Sequence, residues 1–299
     1  MIPRKTRRGG AQMTDLPTPL VSTAWLADNL GAPDLVILDC TTVQEETPDG
    51  SYAFVPGRAS YDDAHIPGAV FCDVLGTLGD KDDPRPLMMP KAGAFKEAME
   101  ALGVGDNSAV VVYDRGIGSW AARVWWSLKT YGFDEAAVLD GGFKKWTAEA
   151  RPVSGEAPEI KPASFTPRYR PERIVSKDEV HKIIEEGGAT LVHSLSLKEF
   201  TGEAAPMPRA GRIKGSINAP ASSLVDPETG VYLSKDKLAA HFDAAGARKS
   251  DRVITYCGGG VAACNNALAL AVLGFDDIAV YDGSLAEWTA DPDAPMETG

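Results

Sequence analysis

The stretch Val253-Ile254-Thr255-Tyr256-Cys257-Gly258-Gly259-Gly260-Val261-Ala262-Ala263 reads as a strand that delivers a thiol into a tight loop opening a helix. The β-branched run favours an extended chain, and the small residues after the glycines suit a helix start. Three glycines in a row let the backbone fold around the sulfur without Cβ clashes. Several N–H groups from Gly258, Gly259, Gly260, Val261, Ala262 and Ala263 can then converge on one point at a helix N-terminus. Such a cradle binds anions and favours a thiolate, which is what covalent catalysis by cysteine requires. A free cysteine at a strand end is by default a small buried hydrophobe, but the glycine run directly behind this sulfur shifts the reading to a functional thiol.

Around that stretch the chain is written twice. Val110-Val111-Val112-Tyr113-Asp114-Arg115-Gly116 overlays Val253–Gly259, and Val138-Leu139-Asp140-Gly141-Gly142-Phe143-Lys144-Lys145-Trp146 overlays Val280-Tyr281-Asp282-Gly283-Ser284-Leu285-Ala286-Glu287-Trp288 at nearly the same offset. Earlier, Leu35–Asp39 pairs with Thr190–His193, and His65–Ala69 pairs with Arg212–Ser216. Each half alternates short β-branched runs with amphipathic stretches such as 91–102 and 235–245, the pattern of a parallel sheet covered by helices. The expected architecture is α/β, with two tandem domains, each a mostly parallel sheet with helices on both faces. The expected boundaries are a disordered leader over 1–16, a first domain over 17–150, a Pro-rich linker over 151–171 and a second domain over 172–299. Where the second copy has Cys257, the first has Asp114, so the chemistry is assigned to the second domain.

Composition bounds the rest. The 299 residues suffice for two ordinary cores. A net charge of -12 argues against nucleic acid as a partner and obliges any anion site to build a local positive patch. No apolar run approaches the roughly 18 residues of a membrane span, and the basic segment with Arg4, Lys5, Arg7 and Arg8 has no apolar region behind it. Cys40, Cys72, Cys257 and Cys264 form no CxxC pair, and His65, His181, His193 and His241 are scattered, so no metal site is expected and a reducing, cytoplasmic setting fits. Cys264 is expected to pack on a helix face, and Trp120, Trp125, Trp126 and Trp146 in the core. A phosphatase of the Cys-x5-Arg type needs an arginine where this chain has Ala263.

With these residues together, the chain resembles the two-domain rhodanese family of sulfurtransferases over nearly its whole length after about residue 17. The resemblance is carried by Cys257–Ala263, by Tyr281-Asp282-Gly283-Ser284 with Glu287-Trp288, and by His65-Ile66-Pro67-Gly68-Ala69-Val70 with Leu87-Met88-Met89-Pro90. It implies that Cys257 takes a sulfane sulfur from a small-molecule donor, 3-mercaptopyruvate or thiosulfate, and passes it to cyanide, a thiol or a reduced dithiol, with no cofactor. Members acting on mercaptopyruvate usually follow the cysteine with Gly-Ser/Ala-Gly-Val-Thr, and those preferring thiosulfate often carry a basic pair there. The neutral Gly258–Ala262 lacks both the hydroxyls and the pair, and leans to the first class. Two departures stand out: the family's Asp-x-Arg is His193-Ser194-Leu195 here, and its second Gly-His-Ile-Pro-Gly is Gly211-Arg212-Ile213-Lys214-Gly215. Arg209 matches a family position near the substrate carboxylate, and Arg212 could offset the missing arginine; the alternative for both is a solvated loop charge. His65 either reaches the cleft or is a structural histidine in its turn. The rival to an enzyme is a sulfur-carrier or persulfide-binding module whose altered residues, Leu195 and Lys214, have abolished turnover of small donors.

Overall fold

The computed structural model describes residues 14–48, 50, 52–85 and 87–299. The chain divides into two compact units: the residues up to Gly79 with Pro90–Tyr169, and Asp80–Met89 with Arg170–Gly299.

In the first unit the strands are β1 (Leu20–Val21), β2 (Leu35–Asp39), β3 (Thr42–Glu46), β4 (Tyr52–Pro56), β5 (Ala69–Phe71), β6 (Ala109–Tyr113) and β7 (Ala136–Leu139). Five of them form a parallel sheet in the order β1-β7-β6-β2-β5, while β3 and β4 pair as a separate antiparallel hairpin. Strands β6 and β7 are buried at every position, as expected for continuous apolar runs covered on both faces. Trp125, Trp126 and Trp146 are almost fully buried, and the Trp125 indole N–H donates to the Ala136 carbonyl at 3.1 Å.

The second unit repeats the arrangement. Its strands are β8 (Ile174–Val175), β9 (Thr190–His193), β10 (Arg212–Ile213), β11 (Ile217–Asn218), β12 (Val253–Tyr256), β13 (Ile278–Tyr281) and β14 (Met296–Glu297). The parallel sheet runs β11-β9-β12-β13-β8, so β12 lies at its centre, as β6 does in the first unit. The helices that follow the two central strands, Ser119–Thr130 and Val261–Val272, are equally long and start from left-handed glycines, Gly118 at φ 83° and Gly260 at φ 80°. Between strand and glycine the second loop is one residue shorter, which accounts for the small shift in the repeat's offset along the sequence.

Three boundaries differ from the sequence reading. The leader's residues 1–13 lie outside the described residues, but Thr14 donates to both carboxylate oxygens of Asp34 and Leu16 packs on the first core, so the ordered chain starts before residue 17. The linker expected over 151–171 is packed on the first unit as far as Tyr169: Ser154 bridges to His65, and Phe165 is buried. Asp80–Met89, inside the expected first domain, belongs to the second unit. Among the described residues no helix is long and apolar enough to cross a membrane.

His193 ends β9 beside Tyr256, fully buried between the rings of Phe200 and Tyr256. Asn218 Nδ2 donates to the carbonyls of His193 and Leu195, while His193 Nε2 has no partner. Burial, aided by repulsion from Arg212 and opposed by a hydrogen bond to Leu195, pushes this imidazole down to about 4 from 6.5. The unfolded chain therefore binds a proton below pH 6.5 that the fold refuses until about pH 4. Stability from this residue is complete above pH 6.5 and falls by about 3 kcal/mol on acidification to pH 4. His193→Gln is expected to flatten that part of the stability–pH curve, measured by denaturant unfolding from pH 7 to pH 4.

Candidate active site

Cys257 follows β12 directly, at the carboxyl end of the sheet's central strand, where open α/β sheets place their sites. It is 3% exposed, and its backbone is held from both sides by the turn after β13. The Cys257 N–H donates to Ser284 Oγ at 3.1 Å, and the Leu285 N–H donates to the Cys257 carbonyl at 3.0 Å. The Ala286 N–H donates to the Gly258 carbonyl at 2.9 Å. The Ser284 hydroxyl donates in turn to the Tyr281 carbonyl at 2.8 Å, so it bridges two strand ends.

The glycines serve different needs. A Cβ at Gly258 would stand 3.0 Å from Met207 Cε, whereas nothing lies within 4 Å of one at Gly259, which faces open space. Gly260 supplies the left-handed backbone that starts the helix. Val261, Ala262 and Ala263 form its first turn, whose N–H groups have no acceptor within the helix. Thr255 Oγ1 donates to the Ala263 carbonyl at 2.9 Å and ties that turn back to β12. Cys264 is buried with its thiol 3.1 Å from the Gly260 carbonyl, a packed helix-face residue.

The first unit displays what such a loop can hold. The Asp114 carboxylate, at the position of Cys257, accepts N–H bonds from Gly116 at 2.8 Å, Gly118 at 3.1 Å, and Trp120 and Ala121 at 3.0 Å each. Burial pushes this carboxyl above its ordinary range, and the four donors offset only part of that rise. Counted from the starting glycine, Trp120 and Ala121 correspond to Ala262 and Ala263. In the first unit the loop is thus filled by its own side chain.

The other residues singled out from the sequence are elsewhere engaged. His65, read into the anion cradle, is fully buried in the first unit, stacked on Tyr61, with Nδ1 2.8 Å from the Tyr61 carbonyl and Nε2 3.1 Å from the Glu156 carbonyl. Both ring nitrogens are spent on backbone, which makes it a structural histidine. Arg209 Nη1 donates to the carbonyls of Asp291 and Ala294 at 2.7 and 2.8 Å. It still lines a small crevice with Leu195, Glu199, Met207 and Leu285, beside the Cys257 loop. Arg212 stacks on Phe200 at 4.2 Å and donates to the Phe200 and Gly299 carbonyls, near Glu297. These arginines pin the C-terminal segment instead of converging as free cations on the thiol.

Ser284 is the site residue that motif reading passed over as part of a turn. The repeat contained the signal: its counterpart is Gly142, at φ 52°, and Ser284 keeps the same left-handed backbone at φ 48° despite its side chain. A strained serine replaces a glycine in the copy where cysteine replaces aspartate, and its hydroxyl is the group that holds the cysteine.

A central parallel strand, a thiol at its carboxyl end and a glycine loop opening a helix characterise the second unit of a two-domain α/β protein. The profile of the rhodanese-like domain matches this chain twice, over residues 22–149 and 176–291. The 3-mercaptopyruvate sulfurtransferase of Escherichia coli K12 is 33% identical over 283 residues, covering 94% of this chain and 98% of the relative. The thiosulfate sulfurtransferase of Bos taurus is 34% identical, covering 90% of this chain and 91% of the relative. A crystal structure of a 3-mercaptopyruvate sulfotransferase from Escherichia coli superposes with a TM-score of 0.79 at 31% identity, covering 89% of this chain and 98% of that one. The chain belongs to the rhodanese family.

Ser284→Ala, which keeps the strained backbone and loses the hydroxyl, should cost about 1–2 kcal/mol in denaturant unfolding. Ser284→Gly, which copies Gly142, should cost less than Ser284→Ala by up to about 1 kcal/mol, because glycine relieves the strain.

Proposed function

We propose that this protein is a sulfurtransferase that carries sulfur as a persulfide on Cys257, taking it from 3-mercaptopyruvate in preference to thiosulfate and giving it to cyanide, a thiol or a reduced dithiol. The observation that carries this reading is the Asp114 cradle, where four N–H groups converge on a carboxyl group at the place Cys257 occupies in the second copy.

The chemistry follows from that placement. The Cys257 thiolate attacks the donor's sulfur, and a sulfur–sulfur bond to Cys257 forms. With mercaptopyruvate the carbon–sulfur bond breaks, its electron pair staying on carbon as an enolate that takes up a proton. With thiosulfate the sulfur–sulfur bond breaks and sulfite leaves. An acceptor thiolate or cyanide then attacks the outer sulfur and releases Cys257 as thiolate, which restores the loop. Both steps place negative charge on sulfur next to the same N–H groups, and fixed dipoles there stabilise it without reorganisation. Two half-reactions through one covalent intermediate predict ping-pong kinetics.

The donor preference rests on charge. Gly258–Ala263 carries no lysine or arginine, and Arg209 and Arg212 are bonded to backbone carbonyls. A dianion such as thiosulfate gains less here than a monocarboxylate whose reacting sulfur is a thiol. The four cysteines are free thiols, which fits a reducing cytoplasm.

Intact mass of the protein after each donor tests the reading, with Cys257→Ser alongside. The expected result is one added sulfur atom on wild type alone, more complete with mercaptopyruvate, and removed by cyanide or dithiothreitol. No gain with either donor overturns the enzyme and leaves the carrier module.

A further inference from the structure

The segment Asp80–Met89 sits in the first half of the sequence, yet in the fold it is part of the second unit. Among its contacts there are two to the turn that holds Cys257 and the short helix that follows it. The Met89 N–H donates to Asp282 Oδ2 at 2.7 Å, and Arg85 Nη1 forms an ion pair with Glu287 Oε1. The other edge of the guanidinium is held within the segment: Nε and Nη2 make a two-pronged contact with Asp83 at 2.8 and 2.6 Å. That contact holds the Asp83 carboxyl down at about 2. Asp83 therefore presets the fork, and the remaining nitrogen is presented to Glu287.

Glu287 passes the constraint on. Its Oε2 accepts from the Tyr281 hydroxyl at 2.8 Å, and its side chain lies so close over Gly283 that a Cβ there would collide with it. Its N–H donates to the Gly283 carbonyl at 2.9 Å. Tyr281 and Gly283 lie just before the residues that hold the cysteine: the Tyr281 carbonyl orients the Ser284 hydroxyl, and Ser284 and Leu285 bond the two sides of the Cys257 backbone. The contacts run without a gap from Asp83 through Arg85, Glu287 and the Tyr281–Leu285 turn to Cys257.

We propose that Arg85 is a positioning residue for Cys257, clamping through Glu287 the strained turn that fixes the cysteine's backbone. This rests on the reading of Cys257 as the sulfur-carrying nucleophile. Ser284 keeps its left-handed backbone only while the groups around it over-determine the turn. Releasing the Glu287 carboxylate would let the turn relax and the thiol drift from the cradle, and small misplacements at a reacting atom are costly in rate.

The test compares wild type, Arg85→Ala, Glu287→Gln, the double variant and Arg85→Lys. Sulfur loading of Cys257 from mercaptopyruvate is followed by rapid quench and intact mass, with the folded fraction set by circular dichroism. Each single variant should slow loading at saturating donor roughly tenfold, with the donor KM within about twofold of wild type. The double variant should be no slower than the worse single, since both remove the same clamp, and Arg85→Lys should recover part of the rate. Arg85→Gln is read by the same criterion if Arg85→Ala does not fold. Unchanged loading per folded molecule, or additive losses in the double variant, overturns the proposal. Alkylation of Cys257 by iodoacetamide, mapped by peptide mass, needs no donor. If wild type takes up no sulfur, the functional reading fails, and an alkylation rate that differs between wild type and Arg85→Ala still upholds the clamp, whereas an equal rate removes it.

Discussion

The position of Cys257 is set by two hydrogen bonds to its own backbone, one on each side of its Cα, and both partners lie on the turn after the neighbouring strand. This is a property of the sheet. Strands β12 and β13 are parallel and in register from Val253 and Ile278 onward, so their carboxyl ends finish side by side. The loop after one strand can then satisfy the loop after the other. A nucleophile fixed through its backbone does not depend on a long side chain finding the right rotamer. It depends on register, which the burial of β12 and β13 at every position enforces.

The two copies show how one scaffold serves two ends. In both, a left-handed glycine starts a helix just past the central strand, and the residue at the strand's end receives a backbone N–H from the next turn: Phe143 to Asp114 at 3.1 Å, Leu285 to Cys257 at 3.0 Å. What differs is the occupant. Asp114 fills its cradle with a carboxylate and closes it to ligands. Cys257 offers a thiol, which in the proposed function takes up one sulfur atom and gives it back. Glycine at 142 suffices where nothing must be oriented; the serine at 284 accepts a strained backbone to place a hydroxyl.

Much of this is legible in the sequence because glycine is informative. Gly258–Gly260 behind a cysteine announce the loop, and the Val-rich runs and repeated turns announce two parallel sheets. Charged residues were far less readable. Arg209 and Arg212 look like substrate cations because nothing in the chain reveals that they reach the carbonyls of Asp291, Ala294 and Gly299, far away in sequence. His65 looks available until its two ring nitrogens are found against carbonyls. Arg85 has no signature as a site residue, as its partner Glu287 lies in the other half of the repeat, and the motif that begins at Leu87 does not reveal that Asp80–Met89 leaves its neighbours in sequence.

The arginines also bear on how an acidic chain handles an anionic intermediate. With a net charge of -12, long-range steering of anions toward the site is unfavourable, and the cations Arg85, Arg209 and Arg212 are engaged with carboxylates or carbonyls. What remains for the sulfur is the backbone: short, dipolar N–H groups that act only at contact distance. Such a cradle does little to concentrate anions from solution and much for charge that develops on an atom already in place. In the proposed mechanism these N–H groups act on the charge of the reacting sulfur, first the Cys257 thiolate and then the persulfide, and not on the free donor.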